Sequence, residues 1–162
     1  RCRRREDGEE CASLAGRIEP TVFAGYLDRL ARCYNGAAIL PERNNHGHTV
    51  IAALRTSGEH RVLCGYDGKP GWLSNLKGKS LLYNALADAV RDRACTLLSA
   101  ETAGQIASIE ASTLAAPQGL HDDRADGFAL AIVAANQANR RALPAHIAPA
   151  PDPLAGIDST AL

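Results

Sequence analysis

The chain alternates short apolar runs with longer stretches in which apolar residues recur every three or four positions. Phe23, Leu27 and Leu30 belong to one such amphipathic helical stretch. The run from 37 to 40 shows no polar alternation, which is typical of a strand buried on both faces. Strands that alternate with helices predict an α/β fold with an at least partly parallel sheet. With 162 residues, the chain is expected to form one domain.

The pattern predicts five helices, three short strands and an opening hairpin. The helices are expected at 20–34, 48–56, 80–94, 100–110 and 122–139, and the strands at 37–40, 61–64 and 96–98. Residues 1–18 are expected to form the hairpin, with strands around a turn at 6–8. The domain would cover residues 1–142, and the Pro- and Ala-rich residues 143–162 would be a flexible tail.

Charge and cysteine content exclude little about the partners of the chain. The 18 basic and 18 acidic side chains balance, so net charge alone does not indicate nucleic acid. Five widely spaced cysteines without a C-x-x-C pair argue against a disulfide framework and favour a reducing compartment. No apolar run approaches the length of a membrane span, so no membrane partner is expected.

Acidic residues cluster where the last predicted helix begins. Asp122 and Asp126 would share one face of that helix, whereas Asp123 would point about 100° away. Glu42 follows the apolar run at 37–40, at the strand end where open α/β sheets usually bind ligands. A few such carboxylates can hold Mg²⁺ or Mn²⁺. The alternatives remain open: Asp122 and Asp123 could cap the helix, Asp126 could be a solvated acid of the first turn, and Glu42 could be a surface acid.

Other polar residues allow weaker functional interpretations. Gly78-Lys79-Ser80 opens a helix, but the phosphate-binding loop pattern requires glycine where Leu73 stands, so an ATP site is not expected. Lys79 could still contact a phosphate backbone or simply be solvated. Trp72 could stack on bases or anchor its glycine-rich loop together with Tyr66. His121 could cap the helix, orient a carboxylate or approach DNA.

Three segments in this order carry a family resemblance. They are AILPERNNHG at 38–47, GWL at 71–73 and GLHDDRAD at 119–126. Together they resemble the C-terminal nuclease domain of the large terminase subunit of tailed bacteriophages. The resemblance covers roughly residues 8–140. Its most specific part is an acid, Asn and Gly after a predicted strand, at 42–47, followed later by His-Asp-Asp at the start of a predicted helix, at 121–123.

The resemblance implies an RNase H-like fold, with a mixed central sheet flanked by helices. It implies a metal-dependent DNA endonuclease that cuts concatemeric viral DNA during genome packaging. Glu42, Asp122 and Asp123 would be the catalytic residues and would hold Mg²⁺ or Mn²⁺, in a two-metal site in the complete domain. The implied partners are double-stranded viral DNA, the terminase ATPase domain, the small terminase subunit and the portal, in the cytoplasm of the bacterial host.

One departure from the family pattern keeps two alternatives open. The family's first acid lies on a strand before the opening hairpin, so the domain is expected to be N-terminally incomplete, and Asp7 in a turn is a poor substitute. The chain could therefore be a non-catalytic prophage remnant that at most binds DNA or a packaging partner. It could also be another RNase H-like nuclease or resolvase.

Overall fold

The computed structural model describes residues 8–56 and 61–139. Within these residues it is a mixed α/β structure with five helices and one small parallel sheet of two strands. The elements in chain order are β1 (Gly8–Glu9), α1 (Pro20–Cys33), α2 (Gly47–Thr56), α3 (Leu76–Arg91), β2 (Cys95–Thr96), α4 (Ala100–Ser108) and α5 (Asp123–Asn139). The predicted alternation of helices with extended segments is confirmed at this level.

The bounds of α1 follow from its end residues. Pro20 occupies the first helical position, where its missing N–H would have had no partner. Glu19 precedes it, and its carboxylate accepts hydrogen bonds from the backbone N–H groups of Thr21 and Val22. After the helix, Asn35 and Gly36 both adopt positive φ angles, 59° and 68°. The predicted helix start and stop are therefore confirmed.

Helix α3 begins at Leu76, four residues before the predicted start. The side chain of Asn75 accepts a hydrogen bond of 2.8 Å from the Gly78 N–H, and so caps the helix. Gly78 lies so close to the preceding turn that a Cβ there would be 1.9 Å from the Leu73 carbonyl oxygen. The glycine thus permits a tight helix start rather than a phosphate-binding loop.

The apolar runs at 37–40 and 61–64, both predicted to be strands, lie side by side but pair over very few residues. Ile39 and Val62 form an isolated parallel bridge. Two backbone hydrogen bonds of 2.8 and 3.0 Å flank it. The two runs are parallel, as expected for the predicted sheet. Each pairs through a single bridge here, so neither forms the predicted strand.

The predicted opening hairpin is wrong where the structure describes it. Gly8 pairs in parallel with Cys95 rather than with a neighbouring segment, and residues 11–15 form no strand within the described part of the chain. A Cβ on Gly8 would lie 3.2 Å from the Ala94 carbonyl oxygen, so glycine suits this close approach. The rest of the predicted hairpin, at 1–7, and the predicted tail at 143–162 lie outside the described residues.

Two apolar clusters hold the helices together. The larger joins α3 and α5 to the segments around Leu40 and Leu63, and it includes Trp72, Leu82, Leu86, Phe128, Ala129, Leu130, Ile132 and Val133. The smaller lies between α1 and α2 and contains Ala24, Val50 and Leu54. Helix α5 also packs on α4. Of the helices within residues 8–56 and 61–139, none has the length and apolarity needed to cross a membrane.

Candidate functional site

Glu42 lies where two extended segments meet in parallel. It forms an isolated parallel bridge with Trp72. The Trp72 N–H donates to the Pro41 carbonyl at 2.8 Å, and the Arg43 N–H donates to the Trp72 carbonyl at 2.7 Å. Backbone hydrogen bonds on both sides of Glu42 therefore fix the position of its Cα atom.

The residues Glu42, Asp123 and Asp126 are among those that line one cavity of about 820 Å³. Apolar side chains of α1 and α5, among them Leu27 and Leu130, form much of the remaining wall. Glu42 and the N-terminal turn of α5 are far apart in sequence, so the fold itself brings them to this common space. Asp122 is not among the residues that line it.

Asp122 and Asp126 instead share the ammonium group of Lys79. The Lys79 Nζ lies 3.3 Å from an Asp122 oxygen and 3.2 Å from an Asp126 oxygen. Tyr83 also donates a hydrogen bond of 2.5 Å to Asp126. The Asp126 side chain is only 16% exposed, so its interpretation as a solvated surface acid is wrong. The predicted common face of Asp122 and Asp126 is confirmed, because both reach the same ammonium group.

Asp122 and Asp126 affect the pKa values of Lys79 and Tyr83. Partial burial by itself lowers the pKa of Lys79, but the charges of Asp126 and Asp122 outweigh it, and the pKa is raised overall. Burial, followed by the hydrogen bond to Asp126 and its charge, raises the pKa of Tyr83 far above its usual value. Around neutral pH, Lys79 is therefore a cation and Tyr83 a neutral donor.

The first turn of α5 receives its cap from α4 rather than from the aspartates. The side-chain oxygen of Gln105 accepts a hydrogen bond of 2.8 Å from the Arg124 N–H. The Asp122 carbonyl accepts from the Asp126 N–H at 2.8 Å and so opens the helix. Gln105 therefore satisfies one of the free N–H groups at the start of α5.

The oxygen donors in the cavity are of the type that Mg²⁺ and Mn²⁺ prefer. Their arrangement is not that of a complete metal centre. Among residues 8–56 and 61–139, no group of three or more His, Cys, Asp or Glu side chains is gathered closely enough to hold a metal ion. Glu42 and Asp123 share the space, and Asp126 is engaged by Lys79 and Tyr83.

The aromatic residues of the glycine-rich loop have a structural role. Trp72 is only 3% exposed, so its predicted role as an anchor is confirmed and it offers no face for stacking on bases. The ring of Tyr66 meets it edge-on at a centroid distance of 5.4 Å, and the Tyr66 hydroxyl donates to the Asn75 side chain. Lys77 lies 5.4 Å from the Tyr66 ring centre.

The histidines differ in their relation to the cavity. His46 and His48 are both exposed, and His46, at the turn before α2, is among the residues that line the cavity. His121 is also exposed, two residues before α5. Of the three, only His46 lies among the residues that line the carboxylate-bearing cavity.

Comparisons of the chain with models of protein families, with curated proteins and with solved structures found no match. The resemblance to the terminase nuclease domain therefore depends on the three sequence segments alone. The geometry adds that two of those segments, around Glu42 and Asp123, border the same cavity. The third, around Trp72, forms the backbone bridge beside Glu42.

Proposed function

We propose that this chain is a metal-dependent DNA endonuclease domain of the kind found in the large terminase subunit of tailed bacteriophages. Its substrate would be concatemeric double-stranded viral DNA in the cytoplasm of the bacterial host. The observation that carries the proposal is the shared cavity of Glu42 and Asp123, which come from distant parts of the sequence.

The backbone geometry around Glu42 supports an RNase H-like fold as part of the proposal. The parallel bridge Ile39↔Val62 joins two of the segments expected to be strands, and the parallel bridge Glu42↔Trp72 follows it along the chain. Helices pack against these segments. Glu42 lies at the end of the extended segment that contains Ile39, and the carboxyl end of a strand is where ligands bind in open α/β sheets. The ATPase domain, the small terminase subunit and the portal would be the partners of such a domain.

Glu42 and Asp123 are the residues that would hold Mg²⁺ or Mn²⁺. A bound ion would activate water and stabilise the leaving oxygen of the cleaved phosphodiester. Asp122, which the resemblance also implies as a ligand, is paired with Lys79 in this structure. Its contribution would be to keep the start of α5, and with it Asp123, in place at the cavity.

Plasmid cleavage in Mn²⁺ tests the proposal directly. Glu42→Ala and Asp123→Ala are each expected to lower cleavage at least about 100-fold, because each removes a metal-ligating oxygen. Asp88→Ala is the matched control: Asp88 is an exposed aspartate on α3 whose partner is the surface residue Arg91. Cleavage by Glu42→Ala and Asp123→Ala at the parental rate would show the assignment to be wrong.

A second candidate is a non-catalytic module that binds DNA or a packaging partner. It is favoured by the lack, within residues 8–56 and 61–139, of three potential ligands placed to hold a metal ion. The two candidates differ in a single assay. An endonuclease converts supercoiled plasmid to nicked or linear DNA in Mn²⁺. The non-catalytic module retards the plasmid in a gel and leaves it intact.

A further inference from the structure

A wide groove lies between α1 and α5. Helix α1 packs on α2, whereas α5 packs on α3 and α4. The cavity of about 820 Å³ lies where residues of α1 and α5 face a common space. We call the part of this cavity that the two helices line the α1–α5 groove.

The α1 wall of the groove is apolar and aromatic. Phe23, Leu27 and Leu30 recur every three or four positions and line the groove, and Tyr34 follows at the end of the helix. Phe23 and Leu27 pack against the smaller apolar cluster, yet each of the four side chains remains partly exposed. A contiguous apolar surface of this kind is typical of a docking site.

The α5 wall permits close approach of another backbone. Gly127 and Ala131 line the groove one helical turn apart, and both are exposed. A Cβ on Gly127 would meet no atom within 4 Å among the described residues. Because these side chains are so small, an extended chain can lie directly against α5 while its own side chains contact α1.

The sequence that follows α5 has the composition of such an extended chain. Within residues 143–154, the apolar residues Leu143, Ile147 and Leu154 are interspersed with four prolines. Proline favours an extended backbone and has no N–H to leave unpartnered on an apolar surface. Proline-rich segments commonly dock in grooves that aromatic side chains line.

The segment is long enough to reach the whole groove. Helix α5 runs from Asp123 to Asn139, a rise of roughly 24 Å at 1.5 Å per residue. Residues 140–142 suffice for a turn back towards the groove. Residues 143–154 would then extend over roughly 37 Å, at about 3.1 Å per residue. This length exceeds the return path along α5.

We propose that residues 143–154 dock in the α1–α5 groove of their own chain, with Leu143 and Ile147 against the apolar wall of α1. The short link after α5 keeps the segment near the groove at an effective concentration of about millimolar, so weak contacts suffice to bind it. This docking requires no metal ion. It would cover the cavity and restrict the access of other molecules to it.

Fluorine NMR can observe the groove directly, because the chain has two phenylalanines. Phe23 lines the groove, whereas Phe128 is 8% exposed within the larger apolar cluster. In the full chain labelled with 4-fluorophenylalanine, Phe23→Leu assigns the two resonances. The double variant Leu143→Ser/Ile147→Ser is expected to increase the isotope shift of Phe23 between H₂O and D₂O, because its ring loses its cover. The Phe128 resonance should not change.

The tail itself offers a matched control for this double variant. Ile157→Ser/Leu162→Ser replaces the same residue types outside the docking segment, and should leave the Phe23 resonance as in the parent. An equal solvent isotope shift of Phe23 in the parent and in Leu143→Ser/Ile147→Ser would overturn the inference. A Phe23 resonance that moves with protein concentration in the parent would also overturn it, since the occupant would then be a second copy of the chain.

Elastase digestion tests the docking from the side of the groove. Ala131→Trp fills the groove at an exposed position, so the core is not disturbed. Because a docked segment is cleaved only when it opens, this variant should be cut after Ala145 and Ala148 at least about tenfold faster than the parent. Ala103→Trp, at an exposed position of α4, is the control and should be cut at the parental rate. Equal rates in all three proteins would refute the docking.

Discussion

The hydroxyl of Tyr83 donates a hydrogen bond of 2.5 Å to the Asp126 carboxylate, and so joins α3 to α5 beside the cavity. Lys79, one helical turn earlier on α3, binds the same carboxylate and that of Asp122. Asp126 therefore receives a neutral donor and a cation from one helix face. Its negative charge is therefore balanced within the protein by Lys79.

Replacing Tyr83 with phenylalanine tests the strength of this connection. The ring still fills its buried site, but Asp126 loses its shortest hydrogen bond. Unfolding in urea is expected to show a loss of about 1.5–3 kcal/mol, the usual range for a hydrogen bond to a charged group. Tyr26→Phe, at a position 43% exposed on α1, is the control and should change stability by less than about 0.5 kcal/mol. Equal effects would show that the Tyr83 hydroxyl adds nothing.

Alkaline pH should weaken the contacts that Lys79 and Tyr83 of α3 make with Asp126 of α5. The pKa values of Lys79 and Tyr83 are both raised by folding, so the folded state holds these protons more tightly than the unfolded chain. The resulting stability is fully present below the unfolded pKa values near 10, and is lost as the pH rises through the folded ones. Urea midpoints are expected to fall above about pH 10, and to fall less in Tyr83→Phe. A midpoint equally sensitive to pH in both proteins would contradict this.

Replacing Lys79 should lower the free energy of unfolding more than replacing a cationic side chain on the surface. Lys79→Ala leaves two partly buried carboxylates without their counterion, so a loss of about 1–3 kcal/mol is expected. Arg91 is the comparison, because its pairs with Asp88 and Asp92 lie on the surface, and its side chain is 68% exposed. Arg91→Ala should change stability by at most about 1 kcal/mol. Similar losses in the two variants would mean that the burial of the aspartates is unimportant.

The helices could be predicted because their signals are local. Apolar spacing, Pro20 at a first position and Asn35-Gly36 at an end all act within a few residues. The common face of Asp122 and Asp126 also followed from helical spacing alone. The start of α3 was placed too late because its cap, Asn75, lies inside a loop whose glycines dominated the pattern.

Contacts between distant segments could not be read from periodicity. The opening hairpin was predicted from a local turn signal, whereas Gly8 pairs with Cys95 from much later in the chain. Tyr83 and Asp126 are 43 positions apart, and the residues around either one do not predict a contact with the other. The only available signal was Lys79 on the same helix face as Tyr83, together with the pair of aspartates four residues apart.

Gly47 provides a last test of how Glu42 is placed. A methyl group at Gly47 would collide with the Glu42 carbonyl oxygen, which belongs to backbone and cannot rotate away. Gly47→Ala is expected to lower stability by about 1–3 kcal/mol, the usual effect of overpacking, and to displace Glu42 from the cavity. Gly25→Ala is the matched control, since a Cβ there meets open space on α1 and should stabilise the helix by about 0.5–1 kcal/mol. Urea unfolding measures both changes, and Mn²⁺ affinity should fall only in Gly47→Ala. If both alanine variants gained stability, the contact between Gly47 and Glu42 would have to be looser than the structure shows.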